Sequence, residues 1–181
     1  MSLPMGQSLQ LLPVRLRFRA EEAVLFPVGR PGNIFRGGFG AALRKLVCVP
    51  SCDEPKTCRR RAECPYALIF EPRDTGSGPS GLADRPRPFV FRTHHLDGRT
   101  VRPGEAFHVD LHLFDMQEPL LRHSVDSLRL LASEGLGPRR GRAALESVEL
   151  LDAEGQPRGS VNAEPAGAGQ VRPSPLELSL A

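Results

Sequence analysis

The sequence predicts an α+β domain whose elements follow the order β-α-β-β-α-β. Three observations predict it: short segments in which apolar and polar residues alternate, two longer stretches with apolar residues at helical spacing, and turn-forming residues between them. The chain has 181 residues, of which 40% are hydrophobic and 25% charged. That size and composition are typical of one globular domain.

The first half of the chain contains one strand and one helix. Residues 10–19 (QLLPVRLRFR) alternate strictly, with apolar side chains on one face and Arg15, Arg17 and Arg19 on the other. Asn33 is a suitable N-cap for a helix that extends to Val47. Gly37, Gly38 and Gly40 lie inside this helix, and each costs about 1 kcal/mol relative to Ala. Close packing of the helix on the sheet, or close approach of a polyanion, would compensate for that cost.

The second half contains three strands and one helix. Residues 88–94 and 105–114 are predicted strands, separated by a turn. Pro119 occupies the first turn of a second helix, and Gly135 ends it. Residues 143–152 form the last predicted strand.

This order predicts a ferredoxin-like (RRM-like) domain, with one sheet and two helices on one face. The domain is predicted over residues 10–152, with a Cys-rich insertion at 48–64 after the first helix and a flexible loop at 72–88. Residues 1–9 are expected to be disordered, and 153–181 to be a tail or a linker to a missing second half. In this topology the first and third strands are neighbours, so Arg15, Arg17 and Arg19 of the first strand should lie beside His108, Asp110 and His112.

All four cysteines of the chain fall within seventeen residues, in the pattern Cys-x3-Cys-x5-Cys-x5-Cys. Cys48, Cys52, Cys58 and Cys64 could together hold a structural zinc ion, because four thiolates complete a tetrahedral zinc site and nearby cations lower thiol pKa values. Free structural thiols and disulfides are the alternatives. A catalytic zinc ion is not expected, because four protein ligands leave no open position.

Basic residues are concentrated in the first part of the chain. Residues 1–64 hold 11 Lys and Arg against 5 Asp and Glu, and 22 of the 24 basic residues in the whole chain are Arg. Arginine suits bidentate phosphate contacts, so this bias indicates a nucleic-acid partner, although genomic base composition also produces it. Two groups are the candidate RNA contacts: Arg36, Arg44 and Lys45 on the first helix, and Arg139, Arg140 and Arg142 in the turn GLGPRRGR. The alternative for that turn is a helix C-cap followed by a solvated basic loop.

Five histidines are candidates for acid–base chemistry: His94, His95, His108, His112 and His123. A metal-independent ribonuclease needs a general base, a general acid and a cation near the phosphate. His94 and His95, at the end of a strand near Arg92, are the best-placed pair and the candidate catalytic residues. For each histidine, a structural or surface role is the alternative.

Several segments together carry a family resemblance: GNIFRGGFGAALRKLVC, CPYALIFEPR, RPFVF, RPGEAFHVDLHLF and GLGPRRGRAALESVELLD. They resemble the RAMP superfamily of CRISPR-associated proteins, and in particular bacterial precursor-crRNA-processing endoribonucleases with a four-cysteine insert. The resemblance covers nearly all of residues 10–152. It implies a ferredoxin-like domain in antiviral defence that binds CRISPR repeat RNA and, in active members, cuts it without metal.

Two differences from that family shape the functional expectation. Its members usually have two ferredoxin-like halves, and active members often carry a histidine in or just after the first helix, where this chain has none. We therefore expect a CRISPR-associated RNA-binding protein, corresponding to the N-terminal portion of a crRNA-processing endoribonuclease, that does not cleave RNA on its own. The alternative is a non-catalytic interaction subunit of a CRISPR ribonucleoprotein or another complex, with protein partners or a second ferredoxin-like half.

The sequence has no membrane or secretion signal. No apolar run reaches the 18 residues that a membrane helix needs, and the N-terminus lacks the pattern of a signal peptide. We expect a cytoplasmic protein without a membrane partner.

Overall fold

The computed structural model describes residues 8–48, 52, 57–72, 86–114, 118–161 and 176–179. Its main element is a six-stranded sheet built from β1 (Ser8–Ala20), β3 (Phe89–Arg92), β5 (Ala106–Phe114), β6 (Ala143–Leu151), β7 (Pro157–Val161) and β8 (Leu176–Ser179). A separate two-stranded ribbon pairs β2 (Val24–Leu25) with β4 (Thr100–Val101). The helices are α1 (Pro31–Val47), α2 (Pro65–Ile69) and α3 (Glu118–Glu134).

The strand order of the large sheet is β3-β5-β1-β6-β7, with β8 pairing the first residues of β1. Each pairing in it is antiparallel. The long strand β1 lies between β5 and β6, and Arg15 faces Asp110 while Arg17 faces His108. This is the juxtaposition that the β-α-β-β-α-β order predicted. The mixed α/β architecture and the strand order are consistent with a ferredoxin-like arrangement.

The core lies between one face of the sheet and helices α1 and α3. The apolar positions of β1 and β5 are fully buried and pack against apolar side chains of the two helices. A cluster of phenylalanines joins helix α1 to the sheet. Phe39 of α1 makes edge contacts with Phe89 and Phe91 of β3 at centroid distances of 5.1 and 5.6 Å. Burial of each such side chain contributes about 1.5–3 kcal/mol. The opposite face of the sheet carries the polar alternate residues.

The segment CPYALIF contains the short helix α2. Pro65 occupies the first turn of the short helix α2, where its missing N–H costs nothing, and the N–H groups of Leu68 and Phe70 donate to the carbonyls of Cys64 and Tyr66. The pairing of β2 with β4 was not predicted, because a two-residue strand has no measurable periodicity.

The chain ends differ from the expected tails. Ser8 and Leu9 already belong to β1, and the segment predicted as a tail or linker contributes β7 and β8 to the sheet. Strand pairing with β6 and β1 supplies the backbone hydrogen bonds there, which composition alone does not reveal. Residues 1–7, 73–85, 162–175 and 180–181 lie outside the described residues, as do parts of the Cys-rich insertion.

None of the helices in the described part of the chain is long and apolar enough to span a bilayer.

Candidate functional site

One side of α1 and the aromatic residues around α2 form an open groove of about 600 Å³. Its walls include the backbone of Gly37 and Gly40, the side chains of Arg44 and Lys45, and the rings of Tyr66 and Phe70. Positions 37, 40, 41 and 44 share one face of the helix because residues three and four apart are neighbours on its surface. The sequence indicated the basic residues of this groove but not its aromatic wall, whose signal is the i, i+4 spacing of Tyr66 and Phe70.

The three glycines of α1 have different surroundings. A side chain at Gly38 would overlap Leu131 of α3, and one at Gly40 would overlap the ring of Phe70. These two glycines permit close packing, as expected from the sequence. Their partners are Leu131 of α3 and the ring of Phe70, however, and not the sheet. Gly37 is exposed and has no atom within 4 Å of the position that a Cβ would occupy. Packing within the described residues therefore does not account for Gly37.

The basic residues predicted on α1 differ in their partners. Lys45 donates to both carboxylate oxygens of Glu134 at 2.8 and 2.7 Å, so its charge is already compensated. Arg36 is exposed and has no hydrogen-bond or ion-pair partner among the described residues. Arg44 is also exposed and lies close enough to Tyr66 to oppose the rise in the pKa of that phenol. The Tyr66 pKa is nevertheless raised, first by burial and then by the charge of Glu71.

The glycine turn after α3 is shaped by backbone packing against the chain before and within β2. Gly135 and Gly137 have φ values of 112° and 70°, and a Cβ at Gly137 or Gly141 would overlap the carbonyls of Leu25 and Ala23. Such positions require glycine. The expected C-cap at Gly135 is present, since its N–H donates to the Leu131 carbonyl.

The three arginines of this turn are not equivalent. Arg142 forms an ion pair with Glu22 at 3.0 Å, and its side chain and backbone both donate to that carboxylate. Arg140 donates to the carbonyl of Glu134 at the end of α3. Arg139 is exposed and has no partner within the described ranges. Arg139 is thus the member of the three that is available to an external anion.

The polar face of the sheet is a ladder of ion pairs. Arg15 donates two hydrogen bonds to Asp110, at 2.7 and 2.8 Å, while Arg17 pairs with Glu149 and Arg19 with Glu146. Burial raises the pKa of Asp110, but the hydrogen bonds and charge of Arg15 outweigh it and the net pKa is lowered. The β1 arginines are therefore compensated within the chain.

The histidines at the edge of this face are packed together. The Nε2–H of His95 donates to the His108 carbonyl at 2.9 Å, and the two rings stack with centroids 4.2 Å apart. Burial, reinforced by His95 and Arg15, lowers the pKa of His108 to about 4. Burial and Arg92 lower the pKa of His112 as well. These two imidazoles are neutral at pH 7.

The two histidines of the predicted catalytic pair have different surroundings. His94 and His95 lie in a 3₁₀ turn directly after β3, with their rings at 89° and 5.8 Å apart. His95 is held by the His108 carbonyl, whereas His94 is exposed.

The four cysteines line one small cavity of about 50 Å³ together with Arg60 and Glu63. Cys48 is the C-cap residue of α1, and Cys64 is the N-cap residue of α2. Partial desolvation and thiol hydrogen bonds with Cys58 and Cys48 raise the pKa of Cys52 to about 11. The expected lowering of thiol pKa values by nearby cations is therefore wrong for Cys52. Among the described residues, no group of three or more His, Cys, Asp and Glu side chains is already arranged as metal ligands, and the cysteines are free thiols.

Comparison with solved structures gives a distant match. A crystal structure of the Csm3-Csm4 subcomplex in the type III-A CRISPR-Cas interference complex shares 17% sequence identity with this chain, with a TM-score of 0.45. The match covers 81% of this chain and 78% of that one.

Comparison of sequences identifies closer relatives. An uncharacterized protein of Archaeoglobus fulgidus is 32% identical over 152 residues, which are 82% of this chain and 48% of that protein. The chain thus spans about half the length of this relative. The family AF_1859_N, described as an N-terminal domain, matches residues 9–176. Because this match includes nearly the whole chain, from the second residue of β1 to the start of β8, the protein belongs to the AF_1859_N family.

Proposed function

We propose that this protein is the RNA-binding, ferredoxin-like N-terminal domain of a CRISPR-associated protein, and that the groove along α1 holds the RNA backbone. The observation that carries the proposal is the combination of the exposed backbone of Gly37 with Arg44 on the same wall of a 600 Å³ groove. A helix face without side chains allows a phosphate to approach the backbone closely, and guanidinium groups supply bidentate hydrogen bonds to it.

The charge distribution supports this groove over the sheet face as the RNA contact. The arginines of β1 are paired with carboxylates of neighbouring strands, whereas Arg36, the residue before Gly37 in α1, has no partner among the described residues. The same is true of Arg139 in the glycine turn. An unpaired arginine binds a phosphate without first losing an ion pair. The resemblance to crRNA-processing proteins independently favours a CRISPR repeat hairpin as the RNA.

Binding without cleavage is the activity that we propose for this chain alone. Acid–base cleavage of RNA needs two groups that exchange protons near pH 7. His95 is held by a carbonyl, and His108 has a pKa of about 4. Only His94 of the predicted pair has an exposed side chain without a hydrogen bond in the described part of the chain. A labelled repeat hairpin that stays intact after long incubation would agree with this proposal.

Binding to a labelled hairpin RNA over a range of salt concentrations tests the main proposal. We expect log K to fall linearly with log salt, and the Arg36→Ala and Arg44→Ala variants to bind more weakly with a slope reduced by about 1 each. Arg122→Ala is the matched control, since Arg122 is an exposed arginine of α3 outside the groove. Equal losses in all three variants, or affinity that does not depend on salt, would refute RNA binding in the groove.

A second candidate function is protein binding through the polar sheet face. Its support is the half-buried ion-pair ladder, in which the Oε2 atom of Glu149 is buried without a hydrogen-bond partner among the described residues. A second ferredoxin-like half, or another subunit of the complex, would pack against this face and cover the ladder. Gel filtration distinguishes the two candidate functions. A shift in elution on adding hairpin RNA supports RNA binding. A stable complex with a separately expressed second half, which is lost in Glu149→Ala, supports protein binding through the sheet face.

A further inference from the structure

The cavity between α1 and α2 is lined by all four cysteines of the chain. Cys52 makes thiol hydrogen bonds with both Cys48 and Cys58, and the fourth cysteine, Cys64, lines the same cavity. The sequence spacing alone left zinc, free thiols and disulfides open. All four thiols line one space of about 50 Å³. This arrangement disfavours four unrelated structural thiols, which would not be expected to share a cavity.

We propose that this cavity holds one structural zinc ion bound by the thiolates of Cys48, Cys52, Cys58 and Cys64, and that the ion fixes the RNA groove beside it. Four thiols release four protons when they bind one Zn²⁺, and the resulting site has a net charge of −2. Arg60 in the cavity wall offsets part of this charge.

The position of Cys48 connects the metal to the groove. Cys48 ends α1, lines the cysteine cavity, and also lines the groove. Cys64 starts α2, which carries Tyr66 on the groove wall. A metal bound by both cysteines therefore clamps the end of one groove wall to the start of the other. This part of the inference depends on the proposed RNA groove, whereas the metal site itself does not.

Metal content measured on the untagged, full-length protein tests the site. We expect about one zinc per chain, and tetrahedral thiolate absorption bands in the visible range when Co²⁺ replaces it. Cys52→Ser and Cys64→Ser should each lose the metal. Glu63→Gln is the matched control, because Glu63 lines the same cavity without being a proposed ligand, and this variant should retain the metal.

A measurement on the wild type keeps the test independent of whether the serine variants fold. Stepwise modification of the thiols in the presence of a zinc-sensitive dye should release one zinc per four thiols. Protein with clearly substoichiometric metal and four freely reactive thiols, or with disulfides, would overturn the site, and so would loss of the metal in Glu63→Gln.

The link to RNA has its own readout. If removal of the metal from the wild type leaves RNA affinity unchanged, the clamp is wrong although the metal site stands. If the wild type binds metal but no RNA at all, the proposed function fails and the metal site again stands.

Discussion

The ring of Phe70 lies against the backbone of Gly40, in the space that any larger side chain at position 40 would need. The same ring stacks on Tyr66 and Phe89 at centroid distances of 5.6 and 6.0 Å, and the guanidinium of Arg87 lies 4.6 Å from its centroid. A ring held from several sides cannot easily move away. This contact joins α1 to the residue that follows α2, and both residues line the groove.

Gly40→Ala should therefore destabilise the protein although alanine favours helix. Overpacking costs about 1–3 kcal/mol. Because the Phe70 ring is held from several sides, we expect this cost to exceed the gain of about 1 kcal/mol in helix propensity. Gly37→Ala is the control, because its Cβ meets open space, and it should raise the free energy of unfolding by up to about 1 kcal/mol. Urea unfolding of both variants measures the difference. Equal stabilisation by both would show that Phe70 does not confine position 40.

Acid should weaken the fold through His108. The folded pKa of about 4 lies below the ordinary value near 6.5, so the unfolded chain binds more protons between these values and stability falls as pH drops through this range. The lowered pKa of His112 acts in the same direction. For half-buried rings we expect a loss on the order of 1–2 kcal/mol between pH 7 and pH 4.5.

His108→Gln should flatten this pH dependence, measured as the free energy of unfolding in urea at several pH values. His94→Gln is the matched control, an exposed histidine replaced in the same way. A wild-type curve that is already flat between pH 7 and pH 4.5 would mean that His108 is not desolvated in the folded protein.

RNA affinity should depend unequally on the three arginines of the glycine turn. Arg139→Ala should weaken binding and lower the salt slope, since Arg139 has no partner in the described residues and gives up no ion pair on meeting a phosphate. Arg142→Ala should have a smaller effect, because Arg142 is paired with Glu22. Fluorescence anisotropy with hairpin RNA ranks the variants, and a larger loss in Arg142→Ala than in Arg139→Ala would contradict this order.

Local patterns predicted the elements that carry their own periodicity. The alternation in residues 10–19 gave the buried and polar faces of β1, and Pro119 and Gly135 marked the bounds of the second helix closely, at Glu118–Glu134. Elements that depend on distant partners were not predicted. β7 forms by pairing with β6, and β2 forms by pairing with β4.

The sequence predicted which basic residues belong to the candidate sites, but not which carboxylates most of them pair with. Strand neighbours indicated Arg15 beside Asp110, but the partners of Arg17 and Arg19 depend on the register of β6, which shifts between Arg17 and Phe18. The choice of Glu134 as the partner of Lys45 depends on how α1 packs on α3. Charge counting could not separate these compensated cations from Arg36 and Arg139.

Hairpin-RNA binding by Gly37→Leu tests the central claim most directly, since this change adds an apolar side chain to the groove wall without altering any charge, at a position where a Cβ meets open space. Gly159→Leu is the matched control, because Gly159 is an exposed glycine in β7 that also faces open space. If RNA follows α1, Gly37→Leu should bind at least about tenfold more weakly than the wild type, a loss of about 1.4 kcal/mol, while Gly159→Leu binds normally. Wild-type affinity in Gly37→Leu would contradict the assignment of the groove as the RNA-binding surface.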